Sequence, residues 1–149
     1  MKLAKREDFE SFDFERNTRI PAMCFADNPM PDDTKHRLTV QIFTVKVAGL
    51  DGDLQWPLMC LGMVAVRDKL EYSRNVIFNH TRDNCQTLTQ QDPYLVLVGP
   101  TRVVVYNGYV YFEAMLKVKG STESEDTDLS LVFERFLCCE KINLCVSFG

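Results

Sequence analysis

Between Tyr109 and Lys119 the chain alternates cleanly. Val110, Phe112, Ala114, Leu116 and Val118 face one way, and Tyr111, Glu113, Met115, Lys117 and Lys119 face the other. A period of two sets one apolar face on a core and leaves the opposite face largely wet, as in a half-buried antiparallel strand. Asn107-Gly108 separates this run from Val103–Tyr106. That dipeptide suits the two positive-φ positions of a type I′ turn, so the sequence predicts a β-hairpin with Phe112 and Leu116 in the core.

The same punctuation recurs from Leu38 onward. Leu38–Ala48 is rich in Val, Ile, Thr and Phe and reads as a strand. Val40 and Ile42 share one of its faces, while Phe43, Val45 and Val47 share the other, which requires partial cover on both faces or a bulge. Gly49–Gly52 is a turn centred on Asp51-Gly52. Leu58–Arg67 is a nearly continuous apolar strand with Pro57 before it, where a missing donor is tolerated. Residues 67–75 read as a charged loop and Asn75–Asn79 as a short strand, followed by a polar connection through Arg82-Asp83-Asn84. Tyr94–Val98 reads as a strand stopped by Gly99-Pro100, and Gly120–Asp128 as an acidic loop. Leu129–Leu137 is the last strand, with Leu131, Phe133 and Phe136 available to the core. No segment after residue 37 has helical periodicity. The expected fold is all-β, an antiparallel β-sandwich or partial barrel over residues 38–137.

Residues 1–37 differ from the rest. They hold eight acidic residues and three prolines, and Asn28-Pro29-Met30-Pro31 breaks any regular element. They are expected to form a flexible N-terminal segment.

Charge narrows the functions. Lys plus Arg number 17 against 21 Asp plus Glu, a net charge of -4, with no basic stripe. Nucleic-acid binding is not expected, because phosphate neutralisation supplies most of that affinity. No apolar stretch is long enough for a membrane span. Met1–Phe14 is charged and has no apolar core of signal-peptide length, which points to the cytoplasm, with the nucleus left open. Asn79-His80-Thr81 is then a chance match to the glycosylation triplet.

The six cysteines are Cys24, Cys60, Cys85, Cys138, Cys139 and Cys145. No Cys-x-x-Cys pair occurs, and adjacent Cys138-Cys139 is poor metal spacing. Reduced, structural thiols are expected, with Cys60 a small core side chain.

Catalytic constellations are weak. His80 and Cys85 lie in a polar connection without an orienting third group, so a surface His and an ordinary Cys are expected. Glu123, Glu125, Asp126 and Asp128 share one loop but match no calcium pattern, and a solvated loop is the default. Trp56 is expected to close one end of a core. Arg67-Asp68 and Arg82-Asp83 read as exposed ion pairs on polar loops. No Gly-rich phosphate loop, Ser-centred elbow or His-x-x-x-His pair occurs. No enzymatic activity is expected, and no catalytic, cofactor-binding or metal residue is assigned.

Three stretches together resemble a plant domain family of unknown function that is abundant in grasses. They are Leu54-Gln55-Trp56-Pro57-Leu58 with Gly62-Met63-Val64-Ala65-Val66-Arg67-Asp68; Arg82-Asp83-Asn84-Cys85-Gln86-Thr87-Leu88-Thr89; and Gly99-Pro100-Thr101-Arg102 with Val110-Tyr111-Phe112-Glu113. The resemblance covers roughly residues 38–135. It implies a β-rich fold and offers no catalytic residues to transfer, although some members of the family are joined to a ribosome-inactivating N-glycosidase module. Members usually continue well past the last predicted strand, whereas here residues 138–149 hold three of the six cysteines. That shift reads as a divergent C-terminal tail on a domain that is incomplete at its C-terminus. The expected role is a non-enzymatic interaction or accessory module with a protein partner or with its own copy. Two other readings are a calcium- and phospholipid-binding sandwich at a membrane surface and, on family architecture alone, an accessory part of a ribosome-inactivating system.

Overall fold

The computed structural model describes residues 15–21 and 38–137, and the backbone of 144–146. The strands are β1 (Leu38–Val40), β2 (Val45–Val47), β3 (Leu58–Arg67), β4 (Asn75–His80), β5 (Gln86–Leu88), β6 (Val104–Tyr106), β7 (Val110–Val118), β8 (Thr127–Phe136) and β9 (Leu144–Val146). An antiparallel sheet runs β4-β3-β7-β8, and β5 pairs with β3 beyond the end of β4. Two short pairs lie apart from that sheet: β1 with β6, antiparallel, and β2 with β9, parallel. The all-β, antiparallel class expected from the sequence is the class observed.

The core follows from strand period. Leu58, Cys60, Val64 and Val66 of β3 alternate onto the inner face, as do Val110, Phe112, Ala114 and Leu116 of β7. One buried cluster joins Leu58, Cys60, Val64, Ile77, Phe78, Leu88 and Leu116 to Val45 and Val47 of β2. A second joins Val66, Val110 and Phe112 to Val104, with Val40 and Tyr106 of the β1–β6 pair packed on it. β2 and the β1–β6 pair thus pack on the inner face. Two bulges interrupt the alternation. Ile77 is an extra residue opposite β3, so both Ile77 and Phe78 are buried. Leu129 is the extra residue in β8, so both Leu129 and Ser130 are buried.

The hairpin expectation fails in its pairing. β6 pairs with β1, while β7 has β3 on one edge and β8 on the other. Both edges of β7 are occupied, so Asn107-Gly108 turns the chain from one sheet into another. Gly108 has φ +88°, but Asn107 does not have a positive φ, so the turn is not type I′. Phe112 and Leu116 are nevertheless buried, as predicted.

Four other expectations change. Leu38–Ala48 is two strands in different sheets, and the break at 41–44 leaves Phe43 72% exposed. Tyr94–Val98 forms no regular strand. Leu95 donates its N–H to Val45, whereas Val98 donates to Ile77, so the segment passes from β2 to β4 without a continuous ladder. Gln86–Leu88 is a strand that its polar sequence did not announce. Of the three residues of β8 expected in the core, only Phe136 packs there, edge-on to Phe112 at 5.0 Å. Leu131 and Phe133 lie on the outer face, beside Met115 and Glu113.

Within the N-terminal segment expected to be flexible, residues 15–21 lie against the domain. Thr18 N–H donates to the Arg74 carbonyl at 2.7 Å, and Arg74 N–H donates to the Arg16 carbonyl at 2.8 Å. This strap adds a short parallel bridge, Asn17 to Arg74, at the start of β4. Most of the expected C-terminal tail lies outside the described residues.

Gly62 makes a tight backbone demand within the main sheet. It has φ +117°, and a Cβ there would stand 2.0 Å from the Met115 carbonyl oxygen of β7. Gly62→Ala is expected to destabilise the domain by more than about 2 kcal/mol. Gly49→Ala, where a Cβ meets nothing within 4 Å, is the control. Paired thermal unfolding curves check the difference.

Candidate functional site

The most unusual chemistry lies where β3 ends. Arg67 and Asp68, expected on an exposed loop, are only 1% and 2% exposed. Arg67 extends over the outer face, on the same side as Glu113 of β7, with Ala65 opposite Glu113 in the register. The small Ala65 leaves room for the guanidinium. Arg67 Nη2 donates to Glu113 Oε2 at 2.7 Å, and its Nη1 donates to the Tyr72 carbonyl at 2.9 Å. From β4's side, Arg74 Nη2 donates to Glu113 Oε1 at 2.6 Å. One carboxylate in mid-strand is therefore held between two guanidinium groups. Arg74 also reaches the strap, donating from Nη1 to Glu15 Oε2 at 2.8 Å.

A second buried pair stitches the two layers. Asp68 takes a bidentate contact from Arg102, 2.7 Å from Nη1 to Oδ2 and 2.9 Å from Nη2 to Oδ1. Asp68 Oδ2 also accepts the N–H of Val105 in β6 at 2.8 Å. Asn75 fixes the same corner, donating to the Arg102 carbonyl and accepting from Thr101 N–H, each at 2.8 Å. Above these, Glu71 accepts from Arg16 Nη2 at 2.9 Å and from Thr18 Oγ1 at 2.6 Å, tying down the strap. Arg102 Nε completes the circuit by donating to Thr18 Oγ1 at 3.2 Å.

Protonation follows from these contacts. Burial alone pushes the Glu113 carboxyl up, but the hydrogen bonds and charges of Arg74 and Arg67 outweigh it and hold Glu113 below its ordinary value of 4.5. Burial likewise opposes ionisation of Asp68, and the contacts from Arg102 and the Val105 N–H hold it below 3.8. Each carboxylate is ionised and saturated by donors. The network locks strands together and presents no poised base or nucleophile.

The other residues singled out from the sequence are dispersed. His80 stacks on Phe78 at 4.8 Å and its Nδ1 meets the Asn84 carbonyl, and no hydrogen bond joins it to Cys85. Cys60 is a core side chain, and burial followed by the charge of Cys85 pushes its thiol up to about 12. Trp56 packs on the edge of the larger core cluster, as expected. In the acidic loop, Asp126 accepts the Gly120 N–H at 2.8 Å and pairs with Arg82 at 3.1 Å, while Glu125 caps Thr122 N–H. Arg82 thus bonds to Asp126, not to adjacent Asp83. Among the described residues no group of three metal-ligating side chains converges. Nor, among them, is any helix long and apolar enough to cross a membrane.

Two shallow grooves flank β8. One, about 620 Å³, lies between the Asp51–Leu54 turn and Thr127–Val132. The other, about 380 Å³, runs across the outer face past Leu61, Met63, Met115 and Leu131.

Residues 39–142 match the family described as Domain of unknown function (DUF6598). The chain belongs to this family. No curated protein and no solved structure matches it. The family match spans Arg67, Asp68, Arg74, Arg102 and Glu113, whereas the strap at 15–21 lies outside it.

Glu113→Ala is expected to cost about 3–5 kcal/mol, because it strands two buried guanidinium groups. The pH dependence has a definite sign. Glu113 and Asp68 titrate lower in the folded chain than unfolded, so their contribution is complete above their ordinary values of 4.5 and 3.8. It is lost progressively as pH falls below those values toward the depressed folded ones. Melting temperature followed downward through that acid range should decline, and the decline should be shallower in Glu113→Ala.

Proposed function

We propose that this member of the DUF6598 family is a non-enzymatic interaction or accessory module that acts through its surface. The observation that carries this reading is the fate of its charged groups. The residues most able to do chemistry, Arg67, Asp68, Arg74, Arg102 and Glu113, are spent on one another inside the domain. What the domain offers outward is the long edge strand β8, with Leu131 59% exposed beside the outer-face groove. An uncommitted strand edge is a template for another strand.

The proposed compartment is the cytoplasm, where unlinked thiols such as Cys60 and Cys85 are the rule. A plant setting and a link to ribosome-inactivating proteins rest on the sequence resemblance alone. The purified chain is therefore expected to leave ribosomes unmodified. It is also expected to retain a specific protein in affinity purification that Leu131→Glu loses. Depurination abolished by one side-chain substitution, or identical capture by wild type and Leu131→Glu, would overturn the reading.

A further inference from the structure

Strand β8 pairs with β7 along one side, and among the described residues no strand pairs with its other side. It is ten residues long, carries no proline and no lysine, and is regular beyond its bulge at Leu129. Edge strands usually carry devices against indiscriminate pairing. Here these are the bulge, Asp128, Glu134 and Arg135. A partner must match those charges in position.

The pairing with β7 assigns each residue to a face. Asp128, Leu131, Phe133 and Arg135 lie opposite Lys117, Met115, Glu113 and Tyr111, on the outer face. Ser130, Val132 and Glu134 lie opposite Leu116, Ala114 and Phe112, on the inner face. Two copies pairing antiparallel about a two-fold axis normal to the sheet must oppose residues of the same face. Three central registers satisfy this. Centring on Leu131 puts Phe133 against Asp128. Centring on Phe133 puts Val132 against Glu134 and Leu131 against Arg135. Centring on Val132 puts Leu131 against Phe133, Ser130 against Glu134 and, once the bulge is allowed for, Asp128 against Arg135.

The Val132 register matches apolar to apolar and opposite charge to opposite charge, each pair occurring twice by symmetry. Asp128 has only a 3.7 Å contact with Lys117, with both side chains largely exposed, and is available to a closer cation. We propose that the chain forms a two-fold dimer through β8, centred on Val132, which joins the two main sheets into one. This rests on the reading of the domain as an interaction module and names its partner as a second copy.

Charge-swap sedimentation analysis of the full chain tests it. Wild type is expected to show a concentration-dependent monomer–dimer equilibrium. Asp128→Arg and Arg135→Asp should each weaken dimerisation about tenfold, since two attractions become two repulsions. The double variant Asp128→Arg with Arg135→Asp should restore it. Both side chains are exposed, so the variants should fold, and unchanged melting curves will verify that. In Val132→Cys, oxidation should link position 132 to itself, identified by mass spectrometry of the joined peptides. A wild-type monomer up to about 100 µM, far above typical specific affinities, would overturn the dimer. So would a double variant that stays as weak as the singles. Either result leaves the interaction reading standing, because that reading falls to catalytic turnover or to capture indifferent to Leu131.

Discussion

The grip of Arg67 and Arg74 on Glu113 sets the terms for the rest of the domain. A carboxylate removed from water is tolerated only when nearly every lone pair is met by a donor. Glu113 meets that condition because three strands deliver their groups to one point: β7 the carboxylate, the end of β3 one guanidinium and the start of β4 the other. A slip of one residue in β7 would turn Glu113 toward Phe78 and Val64, and would strand both cations. The ion cluster therefore specifies register beyond what apolar alternation demands. Whether it adds net stability over an apolar substitute is a separate matter, and such clusters often do not.

Asp68 extends the same logic between layers. Its carboxylate accepts a backbone N–H from β6, a strand in a different sheet from β3. Arg102, just before β6, neutralises it. This explains how the chain can leave the Asn107-Gly108 corner and still hold β6 in place with β1 as its one strand partner among the described residues. The strap then closes over the cluster through Glu15, Arg16 and Thr18, with no fully buried residue of its own. Its attachment is polar throughout the described contacts.

Much of the fold was legible. The bounds of β3 followed from its nearly continuous apolar run, and the burial of Phe112 and Leu116 from a period of two, because a strand covered on its inner face has to alternate. Pairing was not legible, because Asn-Gly specifies a local bend and says nothing about which strand already occupies the neighbouring edge. Leu38–Ala48 misled for the same reason: β-branched residues favour extension without fixing the sheet to which the chain extends. The charged network was missed because adjacent opposite charges usually mean surface. One hint was present. The cations at the strand ends are Arg67, Arg74 and Arg102, whereas Lys69 and Lys117 are exposed. Arginine's planar fork suits buried, bidentate pairing better than a strongly hydrated ammonium does.

The placement of charge also bears on what the surface can do. Glu113 of β7 and the arginines at the ends of β3 and β4 are turned against each other and screened from water. On β8 the charges remain outward, flanking a short apolar centre. A strand edge with an apolar middle and charges of both signs at its ends discriminates by position as well as by composition, because a wrong register opposes carboxylate to an apolar side chain. The inner strands can stand rigid under the ion cluster while the outer strand carries selectivity. Because β7 is hydrogen-bonded along both edges, β8 is held at the angle the locked strands dictate. An edge so held is ordered before any partner arrives, and pairing with it loses little conformational entropy on the domain's own side.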